Sequence, residues 1–230
     1  MKVIGLIGGI SWESSLEYYR IINETVKERL GGFHSAKCIL YSLDFNDVVK
    51  LQHRGEWDKL AELMIDAAVK LKRAGAELLL ICANTMHKVA DHVQEKVGIP
   101  LIHIIDVTAE KIQKKGLRRV GLLGTRFTME DDFYKRRMEE KHSIEVIVPE
   151  KSDRDIINKI IYNELCLGII RKSSRKIIKN IINGLKLRGA EGIILGCTEL
   201  PLLIRQEDTD IPLFNTTEIH AKAAVEYALR

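Results

Sequence analysis

The segments Gly75-Ala76-Glu77-Leu78-Leu79-Leu80-Ile81-Cys82-Ala83-Asn84-Thr85 and Gly189-Ala190-Glu191-Gly192-Ile193-Ile194-Leu195-Gly196-Cys197-Thr198-Glu199 align without a gap. In each, a Gly-Ala-Glu turn feeds an apolar run that ends in a small residue and then Asn or Thr. Such a run describes a buried parallel strand whose carboxyl end presents side chains to a ligand. In this register Cys197 stands opposite Ala83, not opposite Cys82. A second pair, Val3-Ile4-Gly5-Leu6-Ile7-Gly8-Gly9 and Val120-Gly121-Leu122-Leu123-Gly124-Thr125, precedes its Gly-Ala-Glu segment by a similar interval. Two matches at one offset point to a duplicated chain, with function where the two strand ends meet.

The spacing of apolar runs fills in that plan. Strands are expected near 3–8, 38–43, 78–82, 101–104, 119–124, 144–148, 192–196 and 211–214. Helices are expected near 12–30, 56–74, 85–96, 106–115, 129–141, 153–167, 173–188 and 216–229. This alternation builds parallel sheets covered by helices. The fold class is therefore α/β: two pseudo-symmetric lobes, each a four-stranded, mostly parallel sheet flanked by helices. Gly31-Gly32, Gly75, Gly116 and Gly189 fall just past basic or amphipathic turns, where a helix C-cap favours a residue without Cβ. There is no Pro/Ser-rich linker, and the lobe boundary is expected near Ile104–Asp106.

Composition narrows the function classes. With 230 residues, 46% hydrophobic and 30% charged, the chain has enough interior for a proper core. No apolar run approaches the ~18–20 residues that cross a bilayer, so no membrane association is expected. Met1-Lys2 leads straight into a strand-like run, without the layout of a signal peptide, and a cytoplasmic location is expected. Cys38, Cys82, Cys166 and Cys197 show no zinc-type spacing, so no metal is expected and the thiols should be free in a reducing compartment. The net charge of +4 comes mainly from the helices expected between residues 135 and 188. Without interleaved aromatics or a nucleic-acid motif these read as solvated faces, and no nucleic-acid partner is expected. The mildly positive field favours an acidic substrate.

The strand ends carry the chemistry. Gly5-Leu6-Ile7-Gly8-Gly9 is neither of the two standard nucleotide-binding glycine loops. It does lead through Ile10 and Ser11 into a helix near Trp12-Glu13, and a helix N-terminus offers backbone N–H groups to an anion such as a carboxylate. Thr125 and Thr128 offer the same in the second half, although Ser11 and Thr128 also read simply as N-caps. Cys197, directly after a buried strand and before Thr198 and Glu199, lies where a helix start favours the thiolate and lowers its pKa from about 8.5. It is the candidate base or nucleophile, on an exposed turn where α/β sheets bind ligands. Cys38 and Cys166 read as buried structural cysteines.

Ala83-Asn84-Thr85-Met86-His87 and Gly196-Cys197-Thr198-Glu199, with Gly8-Gly9-Ile10-Ser11-Trp12-Glu13-Ser14 at the start, resemble the aspartate/glutamate racemase family across essentially the whole chain. The resemblance implies a cofactor-independent amino-acid racemase with its active site between two lobes. One lobe would span 1–105 plus 205–230 and the other 106–204, the last strand and helix returning to the first. The family typically places a cysteine at the end of each equivalent strand, on opposite faces of the substrate α-carbon. One thiolate removes the α-proton and the opposite thiol reprotonates the other face, so no pyridoxal cofactor is needed. Ile10 (through its backbone), Ser11, Gln52, Asn84, Thr85, Thr125, Thr128, Thr198 and Glu199 would form the substrate pocket for aspartate or glutamate. A homodimer is implied as well.

Position 83 departs from that pattern, because alanine cannot exchange a proton. Cys82 lies one residue away, but successive strand side chains point to opposite faces, so it should face the core. Three explanations are open: Ala83 replaces a working residue, the enzyme works with one thiol, or Thr85, His87 or a water supplies the second proton. Alternative functions are a one-thiol relative acting on another carbon acid, by decarboxylation or cis-trans isomerisation, or a catalytically silent dicarboxylate-binding protein.

Overall fold

A computed structural model describes residues 1–230 and contains two compact units. The first holds Met1–His103 and His220–Arg230, the second Ile104–Ile219. In chain order the strands are β1 (Ile4–Gly8), β2 (Cys38–Ser42), β3 (Leu78–Ile81), β4 (Arg119–Gly124), β5 (Glu145–Ile147), β6 (Ile193–Gly196) and β7 (Leu213–Asn215). The helices are α1 (Trp12–Leu30), α2 (Phe45–Arg54), α3 (Trp57–Arg73), α4 (Ala90–Val97), α5 (Ile104–Lys114), α6 (Arg126–Glu130), α7 (Asp132–His142), α8 (Lys151–Asn163), α9 (Lys172–Leu187), α10 (Leu200–Leu203) and α11 (Thr216–Ala228).

The first unit carries a parallel sheet in the order β2-β1-β3, the second a parallel sheet in the order β5-β4-β6-β7. All four residues of β3 and of β6 are buried, as strands covered on both faces by helices must be. Ile7, Leu79 and Ile81 pack with Leu60, Met64 and Leu71 of α3, while Ile4, Leu6, Leu78 and Leu80 pack with Tyr18 and Ile22 of α1 and with Ala221, Ala224 and Val225 of α11. Each such fully buried aliphatic side chain stabilises the fold by roughly 1.5–3 kcal/mol relative to an exposed one.

Three expected features change. Of the strand expected at 101–104, only Leu101 bridges Leu79, tied by Leu79 N to Pro100 O (2.8 Å) and Ile102 N to Leu79 O (3.0 Å). Ile104 already starts α5, so the first sheet has three strands. The strand expected at 211–214 does not return to the first half. It pairs with β6 as β7, Ile193 level with Leu213, which places residues 205–219 in the second unit. Only α11 from His220 onward packs on the first. The helix expected over 129–141 breaks at Asp131, whose extended ψ of 145° separates α6 from α7.

The duplicated Gly-Ala-Glu turns are built alike. Gly75 (φ +101°) and Gly189 (φ +92°) take left-handed conformations that side chains rarely adopt. Ala76 N donates to Leu71 O and Ala190 N to Leu185 O, both at 3.0 Å. The glutamates then reach to the neighbouring strand: Glu77 Oε2 accepts from Val3 N (2.7 Å), and Glu191 Oε2 from Arg118 N (2.7 Å) and Arg119 N (3.0 Å). Those two N–H groups hold the Glu191 carboxyl below the ordinary carboxylate range.

Candidate active site

In the first unit, Cys82 N donates to Ile7 O at 2.9 Å, which brings the end of β3 beside Gly8 and Gly9. Gly9 takes φ +78°, and a Cβ there would stand 2.1 Å from Leu43 O, so the loop closes only with glycine. Gly9 N donates to Ser15 Oγ (2.8 Å), and Ser11 caps α1 by accepting from Ser14 N (3.5 Å). Ser14 Oγ shares its one proton between Ser11 O (2.9 Å) and Cys82 O (3.2 Å). Ile10, Ser11, Asn84 and Thr85 are all buried around this turn.

Strand alternation separates the two residues at issue. Ala83 is 6% exposed and packs with Ile7, Leu79 and Ile81. Cys82 is fully buried with Ile4, Leu6, Leu78 and Leu80, and burial pushes its thiol far up. Gln52, in the last turn of α2, is buried; its Nε2 donates to Met86 Sδ (3.3 Å) and its Oε1 has no hydrogen-bond partner.

In the second unit, Gly124 pairs with Gly196 at the ends of β4 and β6. The two strands approach closely here: a Cβ at 196 would stand 2.8 Å from Leu122 Cδ1 and 3.0 Å from Leu123 O. Thr125, not Thr128, is the N-cap of α6, accepting from Thr128 N (3.4 Å), and the two hydroxyls lie 3.2 Å apart.

Cys197 is 6% exposed rather than on an open turn. Its Sγ donates to Glu199 Oε2 (2.9 Å), and Thr198 Oγ1 donates to the same oxygen (2.8 Å). The thiol pKa is raised, not lowered: burial is the largest cause, and the Glu199 charge adds to it. The expected lowering fails because burial and the neighbouring Glu199 charge both disfavour the thiolate, and the helix that follows has only the four residues Leu200–Leu203. Burial also raises the Tyr162 hydroxyl, with Cys197, Cys166 and Glu199 adding to the effect; Tyr162 packs into the same cluster.

Sequence reasoning left Ser14, Ser15 and Tyr162 unassigned. The Ser14-Ser15 pair just inside a helix start was the available signal for the first two; nothing local marks Tyr162, which reaches Cys197 through tertiary packing of α8.

Residues 7–224 match the family model described as Asp/Glu/Hydantoin racemase. The chain belongs to that family and is an isomerase of the racemase type. It is similar to a putative Asp/Glu racemase from Yersinia pestis, with 54% identity, both chains covered completely and a TM-score of 0.94. An aspartate racemase homologue from Pyrococcus horikoshii OT3 is 41% identical over the full length of both chains, with a TM-score of 0.88. The broad specificity amino-acid racemase RacX of Bacillus subtilis is 24% identical over 171 residues, 73% of this chain and 72% of that protein.

Proposed function

We propose that the protein exchanges the α-proton of aspartate or glutamate without a cofactor, using Cys197 as its one thiol base. The observation that carries this reading is the hydrogen bond from the Cys197 thiol to Glu199 at a strand end whose counterpart is Ala83. Glu199 takes the thiol proton, and the thiolate then removes the α-proton from one face of the substrate. The carbanion is stabilised as an enediolate by N–H groups and hydroxyls at its carboxylate, drawn from Ser11, Asn84, Thr85, Thr125, Thr128 and Thr198. Return of the proton by the same thiol restores the starting enantiomer, with solvent hydrogen incorporated. The buried Oε1 of Gln52 suits the substrate ammonium, which supplies the donor it lacks.

Inversion needs a second proton donor on the other face. Ala83 has none, and Cys82 belongs to the core behind it. The reading is therefore fast exchange for one enantiomer and slow inversion. The Asp/Glu/Hydantoin family and the relatives named aspartate and glutamate racemases support the substrate class. Free Cys38, Cys82, Cys166 and Cys197 support a reducing compartment, hence the cytoplasm. Trp12, Leu16 and Tyr19, exposed at helical spacing along α1, support a homodimer.

The test is incubation of L- and D-aspartate and L- and D-glutamate in heavy water, following the α-proton by NMR. Exchange from one hand without inversion is expected. Equal washout from both hands with rapid inversion would show a second acid, and binding with no exchange at all would favour a silent dicarboxylate-binding protein.

A further inference from the structure

The first unit buries three histidines and a tyrosine that the reading above does not use. His87 lies 4.7 Å, ring to ring, from His103 and 5.5 Å from His220, both edge-on. His220 Nε2 lies 2.7 Å from Ile102 O, and its Nδ1 lies 2.7 Å from Tyr18 Oη. A carbonyl only accepts, so Nε2 carries the His220 proton. Burial pushes the His220 pKa down to about 3, so the ring is neutral and its bare Nδ1 accepts from Tyr18. By the same logic His87 Nδ1, 2.8 Å from Ala83 O, carries a proton and donates it to that carbonyl.

The carbonyl in question is the one the duplication handles differently in its two copies. In the second unit the equivalent oxygen, Cys197 O, accepts from a backbone amide, Leu200 N, at 3.2 Å. In the first, the imidazole of His87 holds Ala83 O, while the backbone amide of the same residue bonds to Asn84 O (3.0 Å). Ser14 Oγ holds the preceding carbonyl, Cys82 O. Two successive peptides at the end of β3 are thus fixed by side chains.

We propose that His87 is a positioning residue for the first half of the site, setting the plane of the Ala83–Asn84 peptide through its Nδ1–H while Tyr18 and His220 hold its ring in place. A peptide is planar, so fixing the carbonyl of Ala83 also fixes the Asn84 Cα, the origin of the Asn84 side chain. His87 acts through the backbone and does not touch the substrate. This inference rests on the racemase reading for its kinetic consequence but not for its geometry.

The experiment compares His87→Asn with His87→Gln. An Asn amide places its NH2 near the imidazole Nδ1 position, whereas a Gln amide places it near Nε2. His87→Asn is expected to keep α-proton exchange within about threefold of the unaltered protein, and His87→Gln to lose roughly 10- to 100-fold, the effect of a small misplacement at a reacting centre. In parallel, the carbonyl carbon shift of Ala83 should move in His87→Gln but not in His87→Asn. A two-bond proton–nitrogen correlation on 15N-histidine protein should show the His87 proton on Nδ1. Equal loss in both variants, loss in neither, or a proton found on Nε2 overturns the proposal. If the unaltered protein exchanges no acidic amino acid, the racemase reading fails instead, and the carbonyl shift and tautomer still decide the positioning role.

Discussion

The Cys197 thiol donates to Glu199 Oε2 at 2.9 Å, so the candidate base of the reaction is already joined to a buried carboxylate. A thiol whose pKa is raised by burial is a poor nucleophile or base until something accepts its proton. Glu199, which also receives the Thr198 hydroxyl, is placed to do so.

Glu199→Gln preserves shape and removes that acceptor. The rate of α-proton exchange should fall about 100-fold, in the range of general-base effects, with KM little altered. Steady-state exchange kinetics in heavy water check this. A rise in KM with an unchanged rate would instead put Glu199 on the substrate.

On the proposed reading, Ala83→Cys supplies a second proton donor and should raise inversion by about 100-fold or more relative to exchange. Chiral chromatography of the product measures it. Cys82→Ala in the same assay should leave exchange unchanged, since Cys82 packs among Ile4, Leu6, Leu78 and Leu80.

The buried thiols give stability a dependence on alkaline pH. Cys82 and Cys197 both have folded pKa values raised above the unfolded value of about 8.5. Their contribution is fully present below that pH and declines above it, by up to about 1.4 kcal/mol per pH unit for each thiol. Urea unfolding at pH 7.5 and pH 10 should show the decline, with a shallower slope in Cys82→Ala. Equal slopes would mean that Cys82 ionises as readily folded as unfolded.

At the acid end the sign reverses. The folded pKa of His220 is depressed to about 3, below an unfolded value of about 6.5, so the unfolded chain binds the proton first. Stability should be retained above pH 6.5 and lost as pH falls towards 3. Thermal unfolding between pH 7 and pH 4 should fall less steeply in His220→Gln than in the unaltered chain, although its starting stability will be lower.

Much of the fold was legible because buried parallel strands and amphipathic helices leave strong periodicities. α1 runs over residues 12–30 as expected, with Ser11 as its cap. α2 was missed although Asp44 and Gly55 mark its ends, because the stretch between the strand expected at 38–43 and the helix expected at 56–74 is short enough to read as connection. The expected strand at 101–104 failed because its apolar run continues into α5, and short apolar runs do not distinguish strand from helix.

The site was legible as motifs but not as electrostatics. That Ala83 and Cys82 face different clusters follows from a period of two. The state of Cys197 does not, since its pKa depends on burial by α8 and α9 and on a carboxylate two residues away that sequence placed in the substrate pocket. The tie between Tyr18 and His220, 202 residues apart, has no local signature at all.

The paired glutamates at 77 and 191 have a consequence for descent. Each grips the entry to its own neighbouring strand, so the alignment of β3 on β1, and of β6 on β4, is specified inside one half without help from the other. A half-length forebear could therefore have ordered its sheet alone. In the chain as it stands the two strand termini differ, one ending in Cys197 and the other in Ala83, and the histidine brace lies behind Ala83 alone.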